Sequence, residues 1–508
     1  MLFNSYPFIF IYLPIVLGGF FLVGRFNKIG AGGWLALASV FFYGWWSPQF
    51  ILLLLGSICF NYCAGYVLSR GQAKTNKLLL GLAISVNLLC LGFFKYANFF
   101  ISTIDSLGTH IGLLDIVLPI GISFYTFTQI AFLVDAYRGI AREYNFVHYL
   151  LFVTWFPHLI AGPVLHHSQM MPQFASPQTL KPNPESLSVG LTFFAIGLFK
   201  KVVLADNLAI YANPLFNLSG PDSSPMLISA WAGGLAYTLQ LYFDFSGYSD
   251  MAIGLSRMFN IKLPLNFDSP YKAVNIIEFW RRWHMTLSHF LRDYLYFPLG
   301  GNKKGPTRRQ INLMATMLLG GLWHGAGWTF VLWGALHGLY LVINHAWQSL
   351  SVKLHTANSR LKSFSSVCFT FILVVFAWVP FRAPDISTTL EIWKGMIGLN
   401  GITLHPSLLG YVPDSFASGV IYKGFVPELQ VNTVSLFQWI ALGLFIVWVM
   451  PNTQQILSNY APAWDKARPD KYLINWRSTK TFGLITGLIF AVAVLSFQKN
   501  SPFLYFQF

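Results

Sequence analysis

The feature that most constrains this chain is its shortage of charged side chains. Only 10% of its 508 residues are Asp, Glu, Lys or Arg, whereas 55% are hydrophobic. A water-soluble globular chain carries about 25% charged residues, so this chain has too few of them to cover a surface that faces water. The composition excludes disordered, fibrous, nucleic-acid-binding and disulfide-scaffold proteins. It predicts an all-α polytopic integral membrane protein that is solvated mostly by lipid.

The basic residues lie between apolar runs, as the positive-inside rule expects of a membrane protein. Lys and Arg outnumber Asp and Glu by 33 to 18, a formal net charge of +15. The first run ends before Arg25 and Lys28, which predicts an external N-terminus and a cytoplasmic first loop. About ten full crossings are expected from runs of near-membrane length. These runs are residues 11–24, 34–46, 51–68, 78–94, 117–134, 187–204, 227–245, 364–379, 437–450 and 482–495.

One apolar segment, residues 149–164, is not expected to cross the membrane. It is interrupted by Pro157, Gly162 and Pro163. Irregular backbone at membrane depth is tolerated only where protein shields it or where it lines a wet cavity. We therefore predict a re-entrant segment here.

A second such segment, residues 311–346, has basic residues on both flanks, so the chain must turn back inside it. Residues 311–323 would rise only about 20 Å as a helix, and the glycines at 325 and 327 are the natural turning point. His324 would then lie at the turn, partway through the bilayer. An ionisable residue there is by default a functional hypothesis; the alternative is a neutral imidazole that bridges two helices. A neutral imidazole could deprotonate a hydroxyl as it attacks an acyl donor.

Residues 278–294 have the periodicity of an amphipathic helix that lies in the cytoplasmic interface. His284 falls on the edge of the apolar face, where a hydrogen-bonded core residue and a catalyst are both open interpretations. The polar face collects the charged residues and one histidine: Glu278, Arg281, Arg282, His289, Arg292 and Asp293.

A third polar cluster, residues 241–251, is placed by the hydropathy pattern at the cytoplasmic end of an apolar run. It contains Asp244, Ser246 and Tyr248. These side chains could bind polar groups of a substrate or orient a histidine, or they could simply form hydrogen bonds at a helix end. No metal-ligand spacing occurs in the chain, and we predict no metal site.

Five sequence stretches together resemble the membrane-bound O-acyltransferase family, in particular the bacterial branch that contains the membrane subunit of alginate O-acetyltransferase. The stretches read LPIGISFYTFTQIAFLVDAYRG (118–139), FPHLIAGPV (156–164), FDFSGYSDMAIGLSRMFNIKLPLNFDSPY (243–271), EFWRRWHMTLSHFLRDYLYFPLGGNKKG (278–305) and GGLWHGAGWTFVLWGALHG (320–338). The resemblance implies a catalytic core at residues 118–347. N-terminal membrane helices at 1–117 would precede it, and C-terminal helices at 348–508 with an external loop near 382–438 would follow.

The resemblance also implies a fold and an active site. Re-entrant and interfacial helices would accompany the membrane helices around a central funnel or tunnel. The W-H-G histidine, His324, would be the essential residue, and the W-R-R-W-H histidine, His284, would be the second residue near the tunnel. Asp244, Ser246, Tyr248, Arg281, Arg282 and Arg292 are weaker candidates for substrate binding. The candidates for holding donor phosphates, with topology and anchoring to lipid headgroups as their alternative role, are Arg281, Arg282, Lys303, Lys304, Arg308 and Arg309.

The expected function is O-acetylation of an exported polysaccharide such as alginate by a multi-pass protein of the bacterial inner membrane. The donor would be acetyl-CoA or another acetyl thioester, with no bound cofactor. The partners would be a periplasmic acetyl-accepting or acetyl-transferring protein, the polysaccharide and membrane lipid, with no nucleic acid. Two alternatives stay open: D-alanyl or other acyl transfer from a carrier protein to a cell-envelope polymer, and a transporter or flippase with His324 in a proton relay.

Overall fold

The structure is a computed structural model of the chain. It describes residues 1–70, 73–143, 145–160, 162–218, 224–351, 360–409, 411, 420–465, 474–497 and 503–504. These residues fall into two compact units. Unit 1 consists of the described parts of Met1–Phe199, Gly247–Asn266 and Thr453–Gln507, and unit 2 of those of Lys200–Ser246 and Phe267–Asn452. The division at residues 117 and 347 follows sequence motifs and stays a prediction.

The described chain is mainly helical. In chain order the α-helices are α1 (Leu13–Phe26), α2 (Lys28–Gly44), α3 (Ile51–Arg70), α4 (Ala73–Leu91), α5 (Ala97–Asp105), α6 (Ile122–Tyr137), α7 (Phe146–Thr154), α8 (His167–Ala175), α9 (Pro184–Phe199), α10 (Asp206–Phe216), α11 (Leu227–Met258), α12 (Ile276–Trp280), α13 (Met285–Leu291), α14 (Gly305–His324), α15 (Trp328–Ser351), α16 (Arg360–Arg382), α17 (Ile386–Met396), α18 (Thr433–Trp448), α19 (Thr453–Ile456) and α20 (Lys480–Leu495). A two-residue parallel ladder joins β1 (Ile402–Thr403) to β2 (Val420–Ile421).

Several helices begin at side chains that cap their free N–H groups. Asn145 Oδ1 accepts from the backbone N–H of Val147 at the start of α7, and Asn275 Oδ1 accepts from that of Glu278 in α12. Further caps of this kind are Asn27 for α2, Asn183 for α9, Asp385 for α17, Asn432 for α18 and Thr479 for α20.

The apolar runs are confirmed as membrane helices in part. Five helical stretches in the described chain are long and apolar enough to cross a membrane: Phe8–Phe26, Pro48–Arg70, Asn76–Asp105, Pro184–Phe216 and Ser363–Arg382. Two further predicted runs form shorter apolar helices, Thr433–Trp448 and Lys480–Leu495. The other three fall in α2, α6 and α11, which do not meet the same criteria of length and hydropathy. The protein is therefore a helical, multi-pass membrane protein.

The fifth predicted run shows why run and helix differ in length. The run began at residue 117, but α6 begins only at Ile122 because Gly121 adopts a left-handed conformation with φ +73°. A Cβ at this position would lie 3.0 Å from the carbonyl oxygen of Leu159, so glycine also permits a close backbone approach. Hydropathy detects the apolar run but not the backbone turn within it.

The segment at 149–164 has the irregular backbone that its prolines predict. Helix α7 ends at Thr154, and the next residues form turns while their side chains stay buried within unit 1. The Trp155 indole N–H donates to Ser256 Oγ at 2.9 Å, and the backbone N–H of Phe156 donates to Ser39 Oγ. Protein thus shields this backbone, as membrane depth would require. Its re-entrant topology stays a prediction.

The predicted turn at Gly325–Gly327 is confirmed in unit 2, where α14 ends at His324 and α15 begins at Trp328. The two helices pack closely. A Cβ at Gly321 of α14 would lie 2.2 Å from the Phe330 carbonyl oxygen, so only glycine fits. Helix α14 starts at residue 305 and not 311, but the added turns contain Arg308 and Arg309. Helix α14 is not among the described helices that are long and apolar enough to cross a membrane.

Two sequence interpretations are corrected in this region. Residues 278–294 do not form one helix: α12 ends at Trp280, α13 begins at Met285, and the chain between them turns sharply. The polar cluster at 241–251 does not end a helix, because α11 continues through it to Met258. Its side chains are therefore buried inside the protein and are not at an interfacial helix end.

Candidate active site

His324 is the last residue of α14 and lies in an aromatic environment within unit 2. Its side chain is buried, with 5% of its surface exposed. The rings of Trp333 and Phe381 each meet its imidazole edge-on, with centroids 5.1 Å away. The glycines that follow it allow the chain to reverse into α15 directly after the imidazole. The tight α14–α15 packing thus fixes the position of the W-H-G histidine.

His284 lies between α12 and α13, where it adopts a left-handed conformation with φ +42° and ψ +53°. Non-glycine residues in this region are uncommon and cluster at functional sites. Its side chain is fully buried. The Phe245 ring meets the imidazole edge-on at 4.8 Å, and the Phe267 ring lies 6.5 Å away. The turn between the two short helices therefore directs this imidazole into the protein core.

The structure brings the two predicted catalytic histidines together. Their ring centroids are 6.3 Å apart, so one small substrate group can reach both rings. Burial lowers the pKa of His284 from 6.5 to about 3, because the charged form is poorly solvated there. His284 is therefore neutral at physiological pH, with one nitrogen that can donate a hydrogen bond and one that can accept it. Such a ring can orient a hydroxyl beside His324.

Asp244 lies on α11 in unit 2, one residue before the Phe245 ring that contacts His284. It is buried, with 3% exposed, and its Oδ1 lies 2.7 Å from Lys201 Nζ. The same ammonium lies 2.8 Å from Asp206 Oδ1. Asp244 thus takes part in a buried ion-pair network, and its role as a substrate-binding residue stays a prediction.

Lys201 is a residue whose partners the sequence analysis did not identify. It lies in a π-helical turn, Lys200–Ala205, within one of the candidate membrane spans. A signal was present in the sequence, because a lysine inside an apolar run calls for an acidic partner. Asp206 is near in sequence, but Asp244 is 43 positions further along and could be paired with it only once the fold was known.

Ser246 and Tyr248 lie on the same helix as Asp244. Ser246 is buried in unit 2, and its Oγ has no hydrogen-bond partner among the described residues. Tyr248 belongs to unit 1, where its ring stacks on Phe3 at 5.0 Å and meets Phe503 edge-on at 4.6 Å. Substrate binding by either residue stays a prediction.

The arginine candidates lie outside the buried histidine pair. Arg281 is exposed, and Arg282 is partly buried with its Nε 3.1 Å from Glu278 Oε1. Arg292 is exposed, and its Nε lies 2.7 Å from Asp293 Oδ1. The other cationic candidates in this region, Lys303, Lys304 and Arg308, are exposed, and Arg309 is partly buried.

Comparison with known proteins identifies a family. The model of the membrane-bound O-acyltransferase family matches residues 43–381 of this chain. The matched range includes both histidines and all the motif stretches described above. It ends at Phe381, the residue whose ring contacts His324.

Individual relatives extend the similarity over the whole chain. A peptidoglycan O-acetyltransferase of Helicobacter pylori is 39% identical over 100% of this chain and 98% of its own length. A probable alginate O-acetylase of Pseudomonas putida is 39% identical over 100% of both chains. A teichoic acid D-alanyltransferase of Streptococcus thermophilus is 28% identical over 45% of this chain and 57% of its own length.

Proposed function

Because the chain belongs to the membrane-bound O-acyltransferase family and is an acyltransferase, we propose that it O-acetylates an exported cell-envelope polysaccharide. The donor is a cytoplasmic acetyl thioester, acetyl-CoA, and the enzyme resides in the bacterial inner membrane. About ten crossings surround a central funnel or tunnel through which the acetyl group reaches the outer side. Two full-length relatives whose names specify O-acetyl transfer support this substrate class.

The observation that carries the proposal is the buried pairing of His324 with His284, 6.3 Å apart among aromatic rings. His324 acts as the general base: it takes the proton of the acceptor hydroxyl as the oxygen attacks the thioester carbonyl. It then returns that proton to the departing thiolate. His284, held neutral by burial, positions the hydroxyl. A positioned general base contributes about 10²- to 10⁴-fold in rate.

The acceptor side consists of a polysaccharide and a periplasmic protein that receives or transfers the acetyl group. The relatives' names include both an alginate and a peptidoglycan enzyme, so both glycans are candidate acceptors. On the cytoplasmic side, the exposed Lys303, Lys304 and Arg308 hold the phosphates of the donor. Membrane lipid contacts the exposed apolar helix faces.

A second candidate function is acyl transfer from a thioester on a small carrier protein to a cell-envelope polymer. The partial similarity to a teichoic acid D-alanyltransferase favours it over the transporter alternative, which membership of an acyltransferase family argues against. A donor-swap assay with purified protein decides between the two. We expect transfer from acetyl-CoA and none from an acetylated or D-alanylated carrier protein; the reverse result would establish the second candidate.

The proposed function is tested by deleting the gene and restoring the native, His324→Ala or His110→Ala form. Ester-linked acetate is then measured on each secreted or wall glycan. His110 is an exposed histidine of unit 1 and serves as the matched control. We expect the native and His110→Ala forms to restore acetylation of one glycan and His324→Ala to restore almost none at equal expression. Wild-type acetylation with His324→Ala would overturn the assignment.

A further inference from the structure

His337 is a buried histidine that the proposed mechanism does not use. It lies on α15, four residues after Trp333, so the two side chains share one face of the helix. It has no exposed surface, and neither ring nitrogen has a hydrogen-bond partner among the described residues. A buried donor or acceptor without a partner is unfavourable. An imidazole with two such atoms therefore requires an explanation.

Two neighbouring tryptophans share this property. The indole N–H groups of Trp280 and Trp333 are buried and have no partner within the part of the chain that is described. The Trp333 ring lies 4.8 Å from the His337 ring, and the Trp280 ring lies 5.2 Å from it. We call Trp280, Trp333 and His337 the indole–imidazole cluster. It gathers two hydrogen-bond donors and one group that can donate or accept.

The packing around the cluster leaves little room for it to rearrange. The Phe279 ring stacks on His337 at 6.0 Å, with an angle of 11° between the planes. A Cβ at Gly334 would lie 2.4 Å from the Met317 carbonyl oxygen, and one at Gly338 would lie 2.8 Å from the Met314 sulfur. These glycines pack α15 tightly against α14 on the neighbouring face of the helix, which holds α15 in place. The polar atoms of the cluster are held in place rather than left unpartnered by loose packing.

The cluster is adjacent to the general base. Trp333 lies between the two histidines: its ring meets the His324 ring edge-on with centroids 5.1 Å apart, and it meets the His337 ring with centroids 4.8 Å apart. An indole nitrogen can only donate a hydrogen bond, so Trp333 cannot serve as a base. A buried N–H group on a ring that contacts the general base suits an oxygen that gains negative charge during acyl transfer.

We propose that the N–H groups of Trp333 and His337 form the oxyanion site of this acyltransferase, with Trp280 supporting His337. This inference rests on the proposed function. When the acceptor oxygen bonds to the thioester carbonyl carbon, its proton moves to His324 and the C=O electron pair moves to the carbonyl oxygen, which the two N–H groups bind. The oxyanion then re-forms the C=O bond, the C–S bond breaks, and the thiolate takes the proton from His324.

Replacement of the donors by apolar rings of similar shape tests the oxyanion site. Trp333→Phe and His337→Phe keep aromatic packing but remove an N–H group. We expect kcat to fall by about 10²- to 10³-fold, with KM for acetyl-CoA unchanged, since the interaction forms mainly in the transition state. The melting temperature should stay level or rise, because a buried group without a protein partner is removed. His337→Gln keeps an N–H group and should retain more activity than His337→Phe.

Trp393→Phe is the matched control, because the Trp393 indole N–H donates to the Phe376 carbonyl oxygen at 3.1 Å. This variant should melt at a lower temperature and keep its kcat per folded molecule. The inference is overturned if Trp333→Phe and His337→Phe keep the wild-type kcat. It is also overturned if melting temperature and kcat fall together in Trp333→Phe, His337→Phe and His337→Gln, since that would show a packing role only. The proposed function fails separately, if the native protein transfers no acetyl group or if His324→Ala stays active.

Discussion

His284 combines a strained backbone with complete burial of an ionisable side chain. A non-glycine residue in the left-handed region costs of order 1–3 kcal/mol, and burial of the imidazole adds the cost of keeping it from water. A residue keeps such an unfavourable conformation only where the surrounding structure holds it, and here the Phe245 and Phe267 rings pack around the imidazole. The strain is consistent with a function for this imidazole, because packing alone would be served better by an apolar residue in an ordinary conformation.

The pKa of His284 predicts a pH dependence of stability. Burial lowers it to about 3, so between about 3 and 6.5 the unfolded chain binds a proton that the folded protein does not. The free energy of unfolding should therefore rise with pH across this window and fall as the pH drops below 6.5. Asn tolerates the left-handed conformation without titrating. The melting temperature of His284→Asn should thus change less between pH 7 and 5 than that of the native protein.

Thermal unfolding of purified protein in detergent at several pH values measures this effect. His110→Asn, at an exposed position in unit 1, is the matched control and should follow the native pH dependence. Equal slopes for His284→Asn and the native protein would show that His284 does not supply the effect.

At the scale of elements, the α14–α15 hairpin places His324, Trp333 and His337 in one region. Its closest approach is at Gly321, where a Cβ would lie 2.2 Å from the Phe330 carbonyl oxygen. Gly321→Ala should force the helices apart and destabilise the protein by about 1–3 kcal/mol. The acyl-transfer rate per folded molecule should also fall, because Trp333 and His324 would no longer keep their present distance.

Gly487→Ala provides the control for a helical glycine, since a Cβ at position 487 meets no other atom within 4 Å. This variant should be as stable as the native protein or more stable, by about 0.4–1 kcal/mol. Melting temperatures and initial rates of both variants check the prediction. A Gly321→Ala protein with native stability and rate would mean that the hairpin accommodates the added methyl group.

The π-helical turn at Lys200–Ala205 joins α9 to α10 and supplies Lys201 to the buried carboxylates. Lys201→Met removes the ammonium while Asp206 and Asp244 stay buried, so we expect a loss of about 3–5 kcal/mol in stability. Lys201→Arg keeps the charge and should lose less. Thermal unfolding of the two variants in detergent distinguishes them. If Lys201→Met melted at the native temperature, the ion pairs would contribute nothing measurable.

Sequence reasoning predicted the elements whose signal is local and missed those that depend on partners far along the chain. The turn after His324 was predictable because Gly325 and Gly327 lie between two basic flanks. The break at His284 was not, because apolar and polar residues keep their helical alternation on either side of a single left-handed residue. The ion pair between Lys201 and Asp244 was not predictable either, since they lie 43 positions apart in the sequence. The role proposed for Trp333 and His337 depends on ring contacts that spacing alone does not give.

At the scale of the whole molecule, charge distribution and family membership lead to one expectation about the direction in which the acetyl group moves across the membrane. In the proposed function, the basic loops that the positive-inside rule places in the cytoplasm hold the donor phosphates, and the acceptor polysaccharide lies on the outer side. Proteoliposomes test this with labelled acetyl-CoA, which does not cross lipid, added outside and acceptor oligosaccharide trapped inside. Vesicles whose enzyme has its basic loops outward should accumulate acetyl ester in the lumen, whereas His324→Ala vesicles should not. If ester forms only when donor and acceptor share one side, the acetyl group does not cross through this protein, and the acceptor must instead approach His324 from the cytoplasm.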